Sequence, residues 1–370
     1  MPARSCHSEG QLMKSKSVVL PSANTNRRQI LGMLSTIVLL STAGWCVLAW
    51  SVRPDALQAN TSQTIGWGVG VTAYLLGVRH AFDADHIAAI DNTTRKLVQE
   101  KRPAVSLGFW FSLGHSSVVF LLALLVAIGA RSLAADLGDG SSDLKETLSL
   151  VGTLVGGGFL ILVGLFNLQA LAGMSKLVSK MRRETLDEAA LERHLLQRGF
   201  MAQVLSKPLA SVRKPWHMYI IGFAFGIGFD TATEVTLLVV AGGAAAANAP
   251  WYAVLVIPVL FAAGMSLFDT ADGVLMSHAY RWAFVTPSRK IFYNLTVTAL
   301  SVIVALGIGG IELLQLLADQ FGYEHGPVAL LGSVNLEYAG YIVVAAFIAT
   351  WATAASVWRW GRVERRWSAV

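Results

Sequence analysis

Apolar residues run through the chain in eight long stretches, at about residues 30–50, 65–90, 105–130, 148–172, 218–247, 251–278, 291–317 and 336–358. A hydrocarbon core about 30 Å thick is crossed by roughly 20 such residues in a helix. The pattern predicts an all-α membrane protein with eight transmembrane helices. A long polar segment, residues 173–217, joins spans four and five, while the other connections are short. Residues 1–29 and 361–370 read as polar tails around one membrane domain, 30–360.

Composition supports this reading. Of the 370 residues, 54% are hydrophobic and only 14% charged, and mean hydropathy is +0.54, which is too apolar for an ordinary soluble protein of this length. The basic residues alternate between connections, as the cytoplasmic excess of Lys and Arg requires. The N-terminal tail carries Arg4, Lys14, Lys16, Arg27 and Arg28, whereas the next loop has only Arg53. Arg95, Lys96, Lys101 and Arg102 follow span two, nine basic residues lie from Lys176 to Lys214, and Arg281, Arg289 and Lys290 follow span six. The tail ends in Arg359, Arg362, Arg365 and Arg366. Both termini are expected in the cytoplasm, as an even span count demands. The net charge of +6 is therefore a topology signal and not a nucleic-acid footprint.

The first apolar run reads as a retained helix, being about twice the length of a signal-peptide core and lacking a small-x-small cleavage site. Cys6 and Cys46 show no evident disulfide partner. The stretch "ETLDEAALERHLLQRG" reads as an amphipathic cytoplasmic surface helix.

Charge inside the spans carries the chemistry. The end of span two reads "VRHAFDADHIAAIDN", with His80, Asp83, Asp85 and His86. Span three holds His115 in "SLGHSSVVF", span five Asp230 and Glu234 in "GIGFDTATEVTLL", and span six Asp269 and Asp272 in "GMSLFDTADGVLM". Ionisable groups at membrane depth are costly and mark pathways, relays or ligand sites. Solvated helix ends could account for the first segment, but the acids of span five have apolar or small residues on both sides.

Imidazole together with carboxylate suits iron, nickel, cobalt or zinc, whereas carboxylates alone suit calcium, magnesium or manganese. A transition-metal dication is the natural guest. On a regular helix His80, Asp83 and His86 would form one slanting ridge, with Asp85 projecting elsewhere. Either Asp85 orients an imidazole from outside the ligand set, or the helix is distorted at this point. Three glycine pairs, Gly66-x3-Gly70, Gly152-x3-Gly156 and Gly222-x3-Gly226, are candidate seams for close helix approach.

These residues resemble the signatures of the nickel/cobalt transporter (NiCoT) family of bacterial permeases, over nearly the whole length. The resemblance rests on "RHAFDADHI", with its His-x4-Asp-His core at His80, Asp85 and His86, and on "LGHSSVV", "GFDTATE" and "GMSLFDTADG" in that order. It implies eight transmembrane helices, cytoplasmic termini and high-affinity uptake of nickel or cobalt across the bacterial inner membrane. The metal is then a transported substrate, with no cofactor, and residues 30–360 form a transport domain. The candidate metal residues are His80, Asp83, Asp85, His86, His115, Asp230, Glu234, Asp269 and Asp272.

No G-x4-G-K-[ST] phosphate loop occurs in the sequence, and no ATPase subunit is required. A dication entering a negative-inside cell gains about 4.6 kcal/mol per 100 mV, from roughly 2.3 kcal/mol per charge. Two rivals share the ligand chemistry. A zinc or iron permease or exporter differs in ion or direction, and the loop after span four lacks the His-rich character of a metal-buffering exporter loop. An intramembrane metalloenzyme is disfavoured by the absence of H-E-x-x-H, so the chain is read as no enzyme.

Overall fold

The structure is a computed structural model, and it describes residues 23–52, 66–127, 143–181, 212–227, 232–246, 250–283, 287–322, 325–334, 336 and 338–360. Among these, every regular element is a helix. In chain order they are α1 (Ala23–Ser51), α2 (Trp67–His80), α3 (Ala84–Gln99), α4 (Leu107–Ala127), α5 (Asp143–Met181), a 3-10 turn at Pro215–His217, α6 (Met218–Gly226), α7 (Ala232–Ala246), α8 (Trp251–Ala283), α9 (Pro287–Phe321), α10 (Pro327–Gly332) and α11 (Ala339–Trp360).

Five described helices contain a segment long and apolar enough to cross a bilayer: Asn26–Ser51, Leu107–Leu125, Thr153–Lys176, Trp251–Ala283 and Leu295–Phe321. These fall on expected spans one, three, four, six and seven. Span eight is represented by a shorter apolar helix, Ala339–Thr353. Large apolar side chains such as Val38, Leu39, Leu75, Ile303 and Ile342 stand exposed on the outer surfaces, the arrangement that lipid rather than water accommodates. The amphipathic stretch 184–199 and both tails lie outside the described residues.

Span two is not the continuous helix expected over 65–90. α2 stops at His80, Ala81 and Phe82 form a turn, and Asp83 is extended at φ −66° and ψ 143° before α3 begins. Asp83 donates its N–H to the His80 carbonyl over 2.9 Å, and its own carbonyl accepts from Ile87 N–H over 3.2 Å. The backbone groups released by the break are thus paired locally, as burial requires. The slanting ridge of His80, Asp83 and His86 therefore does not form; of the two readings of this segment, distortion is the one observed. Of span five the structure describes α6 and α7, and residues 228–231 between them lie outside the described residues.

α8 is the central helix, packed against α1, α2, α3 and α4. One side joins an apolar cluster with α1, α2 and α7, including Leu48, Ala73, Leu237, Ile257 and Phe261. The other joins a cluster with α3, α5, α9 and α11, including Ile87, Leu160, Met276, Val297 and Phe347.

Main chain sets the closest crossings. A Cβ on Gly77 of α2 would run into the Phe261 carbonyl of α8, one on Gly108 of α4 into the Asp269 carbonyl of α8, and one on Gly114 into the Tyr219 carbonyl of α6. The Gly222-x3-Gly226 seam is one of these contacts, because Gly222 abuts the Phe111 carbonyl and Gly226 the His115 carbonyl. Gly156, by contrast, has room around it, so its pair is not a seam at that position. Overpacking of this kind costs about 1–3 kcal/mol or more. Gly77→Ala is accordingly expected to lower the thermal midpoint of the purified protein, while Gly158→Ala, with open space at its Cβ, leaves it in place. Equal midpoints for the two variants would show that the α2–α8 crossing yields without cost.

Candidate metal site

The break in span two places its histidines on two different helices. His80 is the last residue of α2 and His86 lies in the first turn of α3, while His115 comes from the middle of α4. All three are buried, and their ligand nitrogens lie within 4.8 Å of one another. The rings form a triangle with centroid separations of 4.6 Å for His80 and His86, 4.7 Å for His80 and His115, and 4.9 Å for His86 and His115. Phe111 packs edge-on against His86 at 4.7 Å, and Phe261 lies 5.5 Å from His80. These are apolar walls that keep water from the imidazoles.

Carboxylates stand around the triangle. Glu234 of α7 is fully buried, and its Oε1 lies 2.5 Å from His115 Nε2 and 3.7 Å from His80 Nε2. The two Nε2 atoms are themselves 2.9 Å apart, so two ring nitrogens and a carboxylate oxygen converge on one point. Asp269 of α8 is buried with Oδ2 3.4 Å from His86 Nδ1, and Asp83 holds His80 Nδ1 at 2.8 Å. His86 Nε2, His115 Nδ1 and Asp269 Oδ1 are buried without a hydrogen-bond partner. Burying such atoms unpaired is expensive, unless they serve a ligand. For a metal–nitrogen bond of about 2.1 Å, two nitrogens at right angles sit about 3.0 Å apart, close to the His80–His115 spacing. The donor set, three imidazoles with two carboxylates beside them, could hold a divalent transition metal.

Other candidates stand apart. Asp85 accepts the backbone N–H of its neighbour His86 at 2.8 Å, so it secures the first turn of α3 and does not join the triangle. Asp272 lies one turn beyond Asp269 on α8, in electrostatic range of Asp269 and Asp91, with one buried oxygen that has no hydrogen-bond partner. Asp230 lies outside the described residues. Sequence reasoning missed a second buried polar group on α3. Arg95, counted above among loop charges, is buried together with Asp91 and Asn92, and α3 continues past the expected end of span two as far as Gln99. The available signal was "IDNTTRK", whose polar residues recur on several sides of a helix and so fit no simple solvated face.

Residues 66–357 match the family described as NicO, high-affinity nickel-transport protein. The chain is 50% identical to the nickel transporter NicT of Mycobacterium tuberculosis, over 91% of this chain and 90% of that one. It is 43% identical to the nickel transporter NixA of Staphylococcus aureus, over 90% and 96%. With the cobalt transport protein NhlF of Rhodococcus rhodochrous the identity is 40%, over 88% and 91%. No solved structure matches the chain. Family signatures, a helical membrane bundle and a buried imidazole triangle coincide on the same residues, and the chain belongs to the NicO family of high-affinity nickel-transport proteins.

Proposed function

We propose that this protein is a secondary permease that takes up nickel, cobalt or both across the cytoplasmic membrane of a bacterium, through eight spans with both termini inside. The observation that carries the reading is the triangle of His80, His86 and His115, three imidazoles buried in a membrane bundle. In this reading those three are the primary ligands, Glu234 and Asp269 balance the charge of the arriving dication, and Asp83 orients His80. Burial strips water from the ion, and nitrogen donors with adjacent carboxylates compensate for the lost hydration. In this reading Asp272 lines the ion path beyond the triangle. The break in span two supplies backbone that can shift without unwinding a whole span, as in transporters whose sites lie at discontinuous helices.

The membrane potential suffices as driving force, so no ATPase subunit is invoked, and the chain acts as no enzyme. The test is uptake of trace radioactive nickel or cobalt by cells expressing the chain, with the other ion, zinc and manganese as competitors. Expected is saturable accumulation that excess nickel or cobalt suppresses and manganese leaves unchanged, abolished by collapse of the potential. Accumulation suppressed best by zinc, or efflux from preloaded cells, would replace the reading with the zinc permease or exporter.

A further inference from the structure

The proposed site depends heavily on α3, yet the chain does little to place that helix. α3 starts afresh at Ala84 after the extended Asp83, so its rotation and axial position do not follow from α2. Apolar packing of residues such as Ile87, Ile90 and Leu97 holds it in the bundle, and a directional polar network adds to this nine residues beyond His86, about 14 Å along the axis at 1.5 Å per residue. Arg95 Nη1 donates to Thr298 Oγ1 of α9 at 2.6 Å. Nη2 donates to Asn92 Oδ1 of α3 and to Asn167 Oδ1 of α5, each at 2.7 Å. Asn167 Nδ2 also donates to Asn92 Oδ1 at 2.6 Å. One turn earlier Asp91 accepts hydrogen bonds from the Tyr280 hydroxyl of α8 and, at 3.4 Å, from Ser301 Oγ of α9. A guanidinium is tolerated in a bundle interior only where oxygens surround it, and its planar fork fixes their directions.

We infer that Arg95 is a positioning residue for the transported cation: by fixing α3 against α5 and α9, its guanidinium sets where His86 stands relative to His80 and His115. The inference rests on the ligand reading above. Lysine keeps the charge but offers a compact ammonium that does not reproduce the fork across three oxygens.

The full-length protein, purified in detergent, is titrated with Co2+ and followed by its visible absorption, which reports ligand type and geometry. Nickel uptake is measured in parallel and normalised to folded protein in the membrane. Expected for Arg95→Lys is folded, monodisperse protein whose Co2+ spectrum is altered, whose Co2+ affinity is weakened about tenfold or more, and whose half-saturating nickel concentration rises by a similar factor. A wild-type spectrum and affinity with a lowered maximal rate would overturn the proposal, since Arg95 would then act on helix motion alone. Should Arg95→Lys not fold, Asn167→Ala and Thr298→Val each remove one acceptor; weaker Co2+ binding in both supports the proposal, and wild-type binding in both overturns it. A wild-type protein without an imidazole-type Co2+ spectrum, or one whose spectrum survives His86→Ala, overturns the ligand reading and this inference with it. Failure of Arg95→Lys to change binding while His86→Ala abolishes it overturns this inference alone.

Discussion

Replacing His86 with Ala is expected to abolish metal uptake, at least a hundredfold below wild type, without removing the protein from the membrane. His86 is fully buried and contributes one corner of the imidazole triangle. Its Nε2 is buried without a hydrogen-bond partner, so the variant sacrifices no bond at that atom. The loss of the ring leaves a cavity against Phe111 and should cost a few kcal/mol of stability, in the range of about 2–5 kcal/mol found for large core truncations. A bundle of this size tolerates such a loss, which is why membrane abundance must be measured alongside uptake. His80→Ala should behave alike, with the added release of Asp83 from its 2.8 Å contact. Uptake at wild-type level in both variants would leave the triangle as a packing cluster and transfer the ion to the carboxylates.

Charge removal at Glu234 is expected to be nearly as damaging. Glu234→Gln keeps the volume and an acceptor oxygen but loses the negative charge 2.5 Å from His115 Nε2, in a pocket with no exposed surface. Carboxylates that hold metal-binding imidazoles contribute about 10–100-fold to metal affinity, and here the same group would also offset the charge of the entering ion. The half-saturating concentration should therefore rise by about one to two orders of magnitude. Asp269→Asn, acting on His86 across 3.4 Å, should shift it in the same direction by less. Normal transport by both amide variants would reduce these acids to structural hydrogen-bonding groups.

How much of this could be read from the sequence differs between helices and site. Expected spans one, three, four, six and seven each fall on a helix that meets the length and hydropathy of a bilayer crossing, because an unbroken apolar run leaves a helix few alternatives in lipid. The convergence of His80, His86 and His115 was legible too, from the company of acids and further imidazoles that they keep within the spans. The break at Ala81–Asp83 was harder. The segment contains neither Pro nor Gly, and its only local cue is Asp83, a residue type favoured at helix starts; it was legible as one of two alternatives, from the mismatch between Asp85 and an ideal ridge. Asp85 of the same motif accepts the neighbouring His86 amide, a local contact that the motif does not reveal. Arg95 was misread because a basic residue near the end of an apolar run is scored as a loop charge, whereas its partners Thr298 and Asn167 lie 203 and 72 residues away. The glycines at 77, 108 and 114 fall outside the GxxxG pairs, and their role depends on which carbonyl faces them across a helix crossing.

Those glycine crossings bear on how the protein would discriminate between ions of similar size. Gly77 meets the Phe261 carbonyl a few residues from His80, Gly226 meets the carbonyl of His115 itself, and Gly108 meets the carbonyl of Asp269. Three of the groups around the proposed site are thus spaced by main chain pressed on main chain, which is stiffer than any side chain. The dimensions of the cage belong to the scaffold, and ligand identity sets only its chemistry. Exchanging nickel for cobalt preference by design would then call for residues that widen or tilt a crossing by tenths of an ångström, with the histidines left as they are.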